Sequence, residues 1–225
     1  MNRMPALTDP SQQNSSDHVL VNPGAGNAAA MNPPLRLGVM ASGNGTNFEA
    51  LARAMSAGRL SAEIRLLVVN NPGCGAEQRA EALGIACAVV DHRCFDRREA
   101  LDRELVRRFQ AAEVEAVVMA GWMRIVTAEL IQAFPGRLMN IHPSLLPSFR
   151  GLDGVGQALQ AGVRISGCTV HLVTEELDAG PVIMQAAVPV HAEDDHDSLA
   201  RRIQQQEHRI LPEAVMLAAH GWRQG

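Results

Sequence analysis

The sequence predicts an α/β protein: a mostly parallel, twisted sheet flanked by helices, with an antiparallel hairpin near the carboxyl end. Three observations predict it. Short apolar runs of strand length alternate with amphipathic stretches of helix length from residue 35 onward. The first run, Leu35–Met40, passes directly into the glycine turn Ala41-Ser42-Gly43-Asn44-Gly45-Thr46-Asn47 and then a helix, the opening of a βα unit that binds nucleotides or phosphate. After Gly167–Val173, an Asp-Ala-Gly-Pro turn at 178–181 leads into Val182–Val190, which pairs back on the strand before it.

Composition narrows the class. The chain has 225 residues, 47% hydrophobic and 20% charged, with a net charge of −4. That balance is ordinary for a globular protein and lacks the basic excess of a nucleic-acid binder. Residues 1–34 are rich in Asn, Pro, Ser, Gln and Ala without apolar periodicity and read as a disordered tail, leaving 35–225 as a single domain. The tail has no apolar core of a secretory signal, and no run of about 18 apolar residues crosses a membrane. All 20 basic residues are arginine, which excludes a P-loop lysine, a Schiff-base lysine and a lysine general base. Cysteines at 74, 87, 94 and 168 form no C-x-x-C pair and read as thiols of a reducing cytoplasm.

Taken in order, the glycine turn lets the backbone approach an anion. The N–H groups of Gly45, Thr46 and Asn47 sit unpaired at a helix start, where the dipole favours negative charge. The alternative is a plain turn capped by Thr46 or Asn47. Glu63–Val69 is the second strand, followed by a helix over Ala76–Leu83 closed by Gly84, then a third strand over Ile85–Val90. Asp96 and Glu99 have capping-box spacing and open a helix whose buried face is Leu101, Leu105 and Phe109. Ala116–Ala120 is a continuous apolar strand, and Gly121–Val126 after it is an apolar loop suited to line a pocket for a flat heterocycle. A last amphipathic helix covers 197–219.

The strand Arg137–Ile141 stops at Pro143, which cannot donate to a ladder. It leaves Asn140 and His142 at the carboxyl edge of the sheet, where open α/β sheets bind ligands. Asp178 lies on the later glycine-flanked turn. A carboxylate beside an imidazole orients the ring and favours its cation, and a neighbouring amide adds an uncharged donor. Such a trio suits an oxyanion-stabilising site, although spacing alone leaves a structural role for His142 open.

Four blocks occur in order: Ser-Gly-Asn-Gly-Thr-Asn at 42–47, Gly-Trp-Met-Arg-Ile-Val at 121–126, Asn-Ile-His-Pro-Ser-Leu-Leu-Pro at 140–147, and Gly-Cys-Thr-Val-His-Leu-Val-Thr-Glu-Glu-Leu-Asp-Ala-Gly at 167–180. Together they resemble the phosphoribosylglycinamide formyltransferase family, folate-dependent enzymes of de novo purine synthesis. The resemblance implies a Rossmann-like fold and formyl transfer from 10-formyltetrahydrofolate, as co-substrate, to the amine of phosphoribosylglycinamide. It implies a catalytic set of Asn140, His142 and Asp178 and no metal. It assigns Gly45, Thr46, Asn47, Gln204 and Glu207 to the phosphoribosyl substrate. It assigns Arg98, Met123, Arg124, Ile125, Val126, Asn140 and the turn Thr174, Glu175, Glu176, Leu177, Asp178 to the folate, with Arg98 facing its anionic end. Residues 152–156 depart from the family pattern, lacking its imidazoles and carrying two glycines that imply a looser loop. Formyltetrahydrofolate deformylase and a non-catalytic phosphometabolite- or folate-binding module are the competing readings. Small-molecule substrates and a cytoplasmic setting, without nucleic-acid or membrane partners, complete the expectation.

Overall fold

The computed structural model describes residues 19–24 and 30–224. The glycine-turn unit is formed by β2 (Leu35–Ala41) and α1 (Thr46–Ser56), after the short edge strand β1 (Leu20–Asn22). The chain continues through β3 (Ala62–Val69), α2 (Gly75–Leu83), β4 (Cys87–Val89) and α3 (Arg98–Ala111). Then come β5 (Ala116–Met119), α4 (Ala128–Ala133), β6 (Leu138–His142) and α5 (Gly154–Ala161). The last three elements are β7 (Ile165–Leu172), β8 (Val182–Pro189) and α6 (His196–Gln224).

The strands form one eight-stranded sheet in the order β1-β8-β7-β6-β5-β2-β3-β4. From β6 to β4 every pairing is parallel, and β6–β7, β7–β8 and β8–β1 are antiparallel. The expected architecture of a Rossmann-like sheet with an antiparallel end is therefore present. Successive strand residues face opposite layers. Leu37, Val39 and Ala41 join Phe48 and Leu51 of α1 and Ile203 and Ile210 of α6 in one core. Met40, Val117 and Met119 join Leu101, Leu105 and Phe109 of α3 and Leu130 of α4 in the other. Coverage on both faces explains why β5, and β2 beyond Arg36, read as unbroken apolar runs.

The chain moves from β2 to β3 and β4 on one side, then crosses back to place β5 on the other side of β2. That reversal opens a crevice at the carboxyl ends of β2 and β5, the usual ligand position in such sheets.

Several sequence expectations need correction. The expected tail contributes β1, whose Leu20–Asn22 pair with Gln185–Ala187, and Met31 exchanges two hydrogen bonds with the Ser61 hydroxyl at 2.9 and 3.0 Å. The free edge of β8 supplies the partner groups for this polar segment. Residues 1–18 and 25–29 lie outside the described set. The capping box does not form: α3 begins at Arg98 after an extended Arg97, with no side-chain cap. A 3-10 turn over His92–Cys94, with Asp91 accepting from the Arg93 N–H, uses up the chain before it. The third strand shrinks to Cys87–Val89, and α6 runs on to Gln224 through Pro212. No helix among the described residues is long and apolar enough to cross a membrane.

Candidate active site

Asn140 and His142 lie two residues apart on β6 and so project to the same side of the sheet. In the antiparallel register, Asn140 stands opposite His171 of β7. Cross-strand neighbours of this kind have side chains in reach of each other. The Asn140 Nδ2 lies 3.2 Å from His171 Nε2. His171 Nδ1 lies 2.9 Å from the Leu172 carbonyl, which can only accept, so Nδ1 carries the proton. His171 is buried, and burial lowers its pKa, partly opposed by the Leu172 hydrogen bond and the charge of Asp178. A neutral His171 therefore accepts at Nε2, and Asn140 must present its NH2 group to it. That fixes the amide orientation and leaves a second Asn140 N–H to face a ligand.

Asp178 lies on the turn between β7 and β8 with φ 49°, a left-handed conformation that Asp and Asn tolerate best among side-chain-bearing residues. Its Oδ2 accepts from the Gly151 N–H at 2.8 Å and lies 3.5 Å from His142 Nδ1; its Oδ1 lies 3.7 Å from His171 Nε2. The other nitrogen of His142, Nε2, donates to the Phe149 carbonyl at 2.8 Å. His142 thus faces a carboxylate at Nδ1 and a carbonyl at Nε2. The side chains of His142 and Asp178 are 7% and 8% exposed, so their contact is shielded from solvent screening.

A cavity of about 550 Å³ opens beside the trio. Asn140, His142 and Asp178 form its floor, and Trp122, Met123, Ile125, Ile141, Leu152 and Leu177 give it an apolar wall. Met123, Ile125, Leu152 and Leu177 are exposed large apolar side chains gathered at its mouth. Such a patch marks a binding groove rather than chance exposure. A side pocket of about 40 Å³ is lined by Val126, Thr174, Glu175 and Glu176, with Arg124, Asn140 and Asp178 shared between the two.

Asn47, Gln204 and Glu207 line the opposite end of the main cavity. Asn47 Nδ2 donates to Glu207 Oε2 at 2.9 Å, and the buried Asn47 Oδ1 has no partner among the described residues. Gln204 Nε2 donates to Thr46 Oγ1 at 3.2 Å. Gly45 is the residue before α1, with φ 74° and no side-chain cap on the helix, so the alternative of a turn capped by Thr46 or Asn47 is not what forms. A Cβ at Gly45 would lie 2.6 Å from Ala76 Cα, so only glycine fits.

Burial raises the pKa of Glu207 despite the Asn47 hydrogen bond. A carboxyl held above its ordinary value when folded binds its proton more tightly in the folded state. Its stabilisation is full below the unfolded value and is lost as pH rises through the raised folded value. Glu207→Gln removes that loss while keeping an acceptor for Asn47. Thermal denaturation at pH 7 is expected to show a Tm above that of the wild type. Weaker binding of the ligand that Glu207 faces is the expected accompaniment.

The site therefore gathers all expected residues except three. Gly45 and Thr46 flank the cavity without lining it. Arg98 is exposed in the first turn of α3 and lines neither pocket. Its helix is tied to the end of the 121–126 loop, where Asp102 Oδ2 accepts from the Thr127 N–H at 2.5 Å. His171 was not among the expected site residues; the antiparallel register of β6 and β7 is the signal that finds it. The two glycines at 154 and 156 do not loosen the loop. Asp153 caps α5 by accepting from the Gly156 N–H at 3.0 Å, and a Cβ at Gly156 would lie 2.1 Å from its carboxylate. His196 then pairs with Asp153 at 2.9 Å and ties the segment to α6.

Comparison with known proteins agrees with this geometry. Residues 35–215 match the formyl transferase family. The phosphoribosylglycinamide formyltransferase of Escherichia coli is 42% identical over 183 residues, 81% of this chain and 86% of that protein. The trifunctional purine biosynthetic protein adenosine-3 of Drosophila melanogaster is 45% identical over 188 residues, 83% of this chain; the chain spans 14% of that longer protein's length. The crystal structure of glycinamide ribonucleotide transformylase 1 from Symbiobacterium toebii superposes with a TM-score of 0.83 at 41% identity, covering 87% of this chain and 94% of that one. With its sheet, its Asn–His–Asp cluster and these relatives in agreement, the chain belongs to the formyl transferase family, among the phosphoribosylglycinamide formyltransferases.

Proposed function

We propose that residues 35–225 are one formyltransferase domain. It transfers a formyl group from 10-formyltetrahydrofolate to the amine of phosphoribosylglycinamide, a step of purine biosynthesis. The observation that carries this reading is the shared cavity. Asn140, His142 and Asp178 meet at its floor, between an apolar mouth and a polar end formed by Asn47, Gln204 and Glu207. A flat folate heterocycle fits the wall of Met123, Ile125 and Leu177 beside Arg124, and the phosphoribosyl group fits the polar end by the glycine turn.

In this arrangement the acceptor amine attacks the formyl carbon and a C–N bond forms. Negative charge develops on the formyl oxygen, where the free Asn140 N–H and a His142 N–H stabilise it. Asp178 supplies the counter-charge that keeps His142 a cation and holds its ring. The bond from the formyl carbon to the folate nitrogen then breaks, and the proton released by the amine ends on that nitrogen. No covalent side-chain nucleophile takes part. Since Nε2–H of His142 is bound to the Phe149 carbonyl, its donation to the formyl oxygen exchanges one acceptor for the other. The four free cysteines fit the cytoplasmic setting we propose.

The test is acceptor dependence. Absorbance of the deformylated folate product is followed with and without phosphoribosylglycinamide. Turnover only with the acceptor is the expected result. Equal turnover without it indicates a deformylase, and folate binding without turnover indicates a binding module; either result overturns the proposal.

A further inference from the structure

The glycine turn at 42–45 is held from behind in a way the proposed chemistry does not itself require. Three consecutive carbonyls of the turn are each taken by a donor from the next βα unit. Asn71 Nδ2 donates to the Ser42 carbonyl at 2.7 Å, the Ala76 N–H to that of Gly43 at 3.0 Å, and Arg79 Nε to that of Asn44 at 2.8 Å. In a planar trans peptide the C=O and the following N–H point in opposite directions. Fixing these carbonyls toward α2 turns the N–H groups of Gly43, Asn44 and Gly45 the other way. None of those three N–H groups has a partner among the described residues. A cation on the Asn44 carbonyl also polarises the peptide it shares with the Gly45 N–H and strengthens that donor. Arg79 is in turn held by Glu49 of α1, which Arg53 also pairs at 2.5 Å.

We propose that Arg79, assisted by Asn71, is a positioning residue for the phosphate of the acceptor. It acts through the Asn44–Gly45 peptide, without touching the ligand, by presetting the turn's N–H groups toward an anion. This rests on the reading of the turn as the phosphate site. Preset donors save the ordering that a free loop must undergo on binding.

Steady-state kinetics on the full chain test it, with phosphoribosylglycinamide and its dephosphorylated riboside as acceptors. Arg79→Met keeps the stem and removes the donor. It is expected to raise KM for the phosphorylated acceptor about 5- to 10-fold, as loss of one hydrogen bond of roughly 1 kcal/mol gives. kcat, KM for the folate and use of the riboside stay within about two-fold on this account. Arg79→Gln places an amide nitrogen where the Arg Nε lies and restores KM to within about two-fold of wild type, because it again donates to the Asn44 carbonyl. Asn71→Ala tests the same clamp from an independent position and is expected to show the same KM-only loss. An unchanged KM in both Arg79→Met and Asn71→Ala overturns the proposal, as does an equal loss for both acceptors or a Gln variant no better than Met. A wild-type protein indifferent to the acceptor's phosphate overturns it differently, by removing the phosphate reading itself.

Discussion

Asp178→Asn is expected to lower kcat by about 100- to 1,000-fold, the usual cost of disabling one oxyanion donor, while the protein remains folded. The fold is expected to survive because Asp178 sits at φ 49°, where Asn is as well tolerated as Asp, and because the amide oxygen can still accept from the Gly151 N–H. What the amide cannot supply is charge. His142 Nδ1 loses its anion at 3.5 Å, and a ring shielded from solvent is left to hold a proton without a counter-charge. Circular dichroism and kcat together check this; a folded variant with the wild-type kcat contradicts the role given to Asp178.

Asn140→Ala is expected to cost a similar factor, about 100- to 1,000-fold in kcat, with little change in KM for either substrate. Its free N–H meets the oxygen only as charge develops there, so the interaction belongs to the transition state rather than to binding. His171 separates this from a general loss of structure. His171→Phe fills the same buried space but removes the acceptor at 3.2 Å that fixes the Asn140 amide. A smaller loss of about 10-fold is expected, typical of a supporting group. Stopped-flow single turnovers of both variants, compared with their thermal melts, give the check.

Much of this was legible in the sequence. Leu35–Met40 followed by a glycine turn, and the bare apolar run at 116–120, announce parallel strands because burial on both faces leaves no room for polar alternation. Asn140 and His142 are readable as neighbours because a strand projects every second residue to one side. His171 was not, since its pairing with Asn140 depends on the register of β6 against β7. Arg98 stands at the exposed start of α3, outside the lining of both pockets. The strand Leu20–Asn22 was hidden in a polar segment because its pairing comes from the open edge of β8 rather than from its own side chains. The cap at Asp153 was missed because Gly156 looks like a loosening residue until the carboxylate is seen in the space a Cβ would fill.

The fate of the formyl carbon tests the central claim most directly. With 13C-labelled 10-formyltetrahydrofolate and phosphoribosylglycinamide, NMR of the products is predicted to place the label in the formamide of the acceptor, at a rate matching folate release. Label recovered as free formate, or folate released without labelled acceptor, contradicts it.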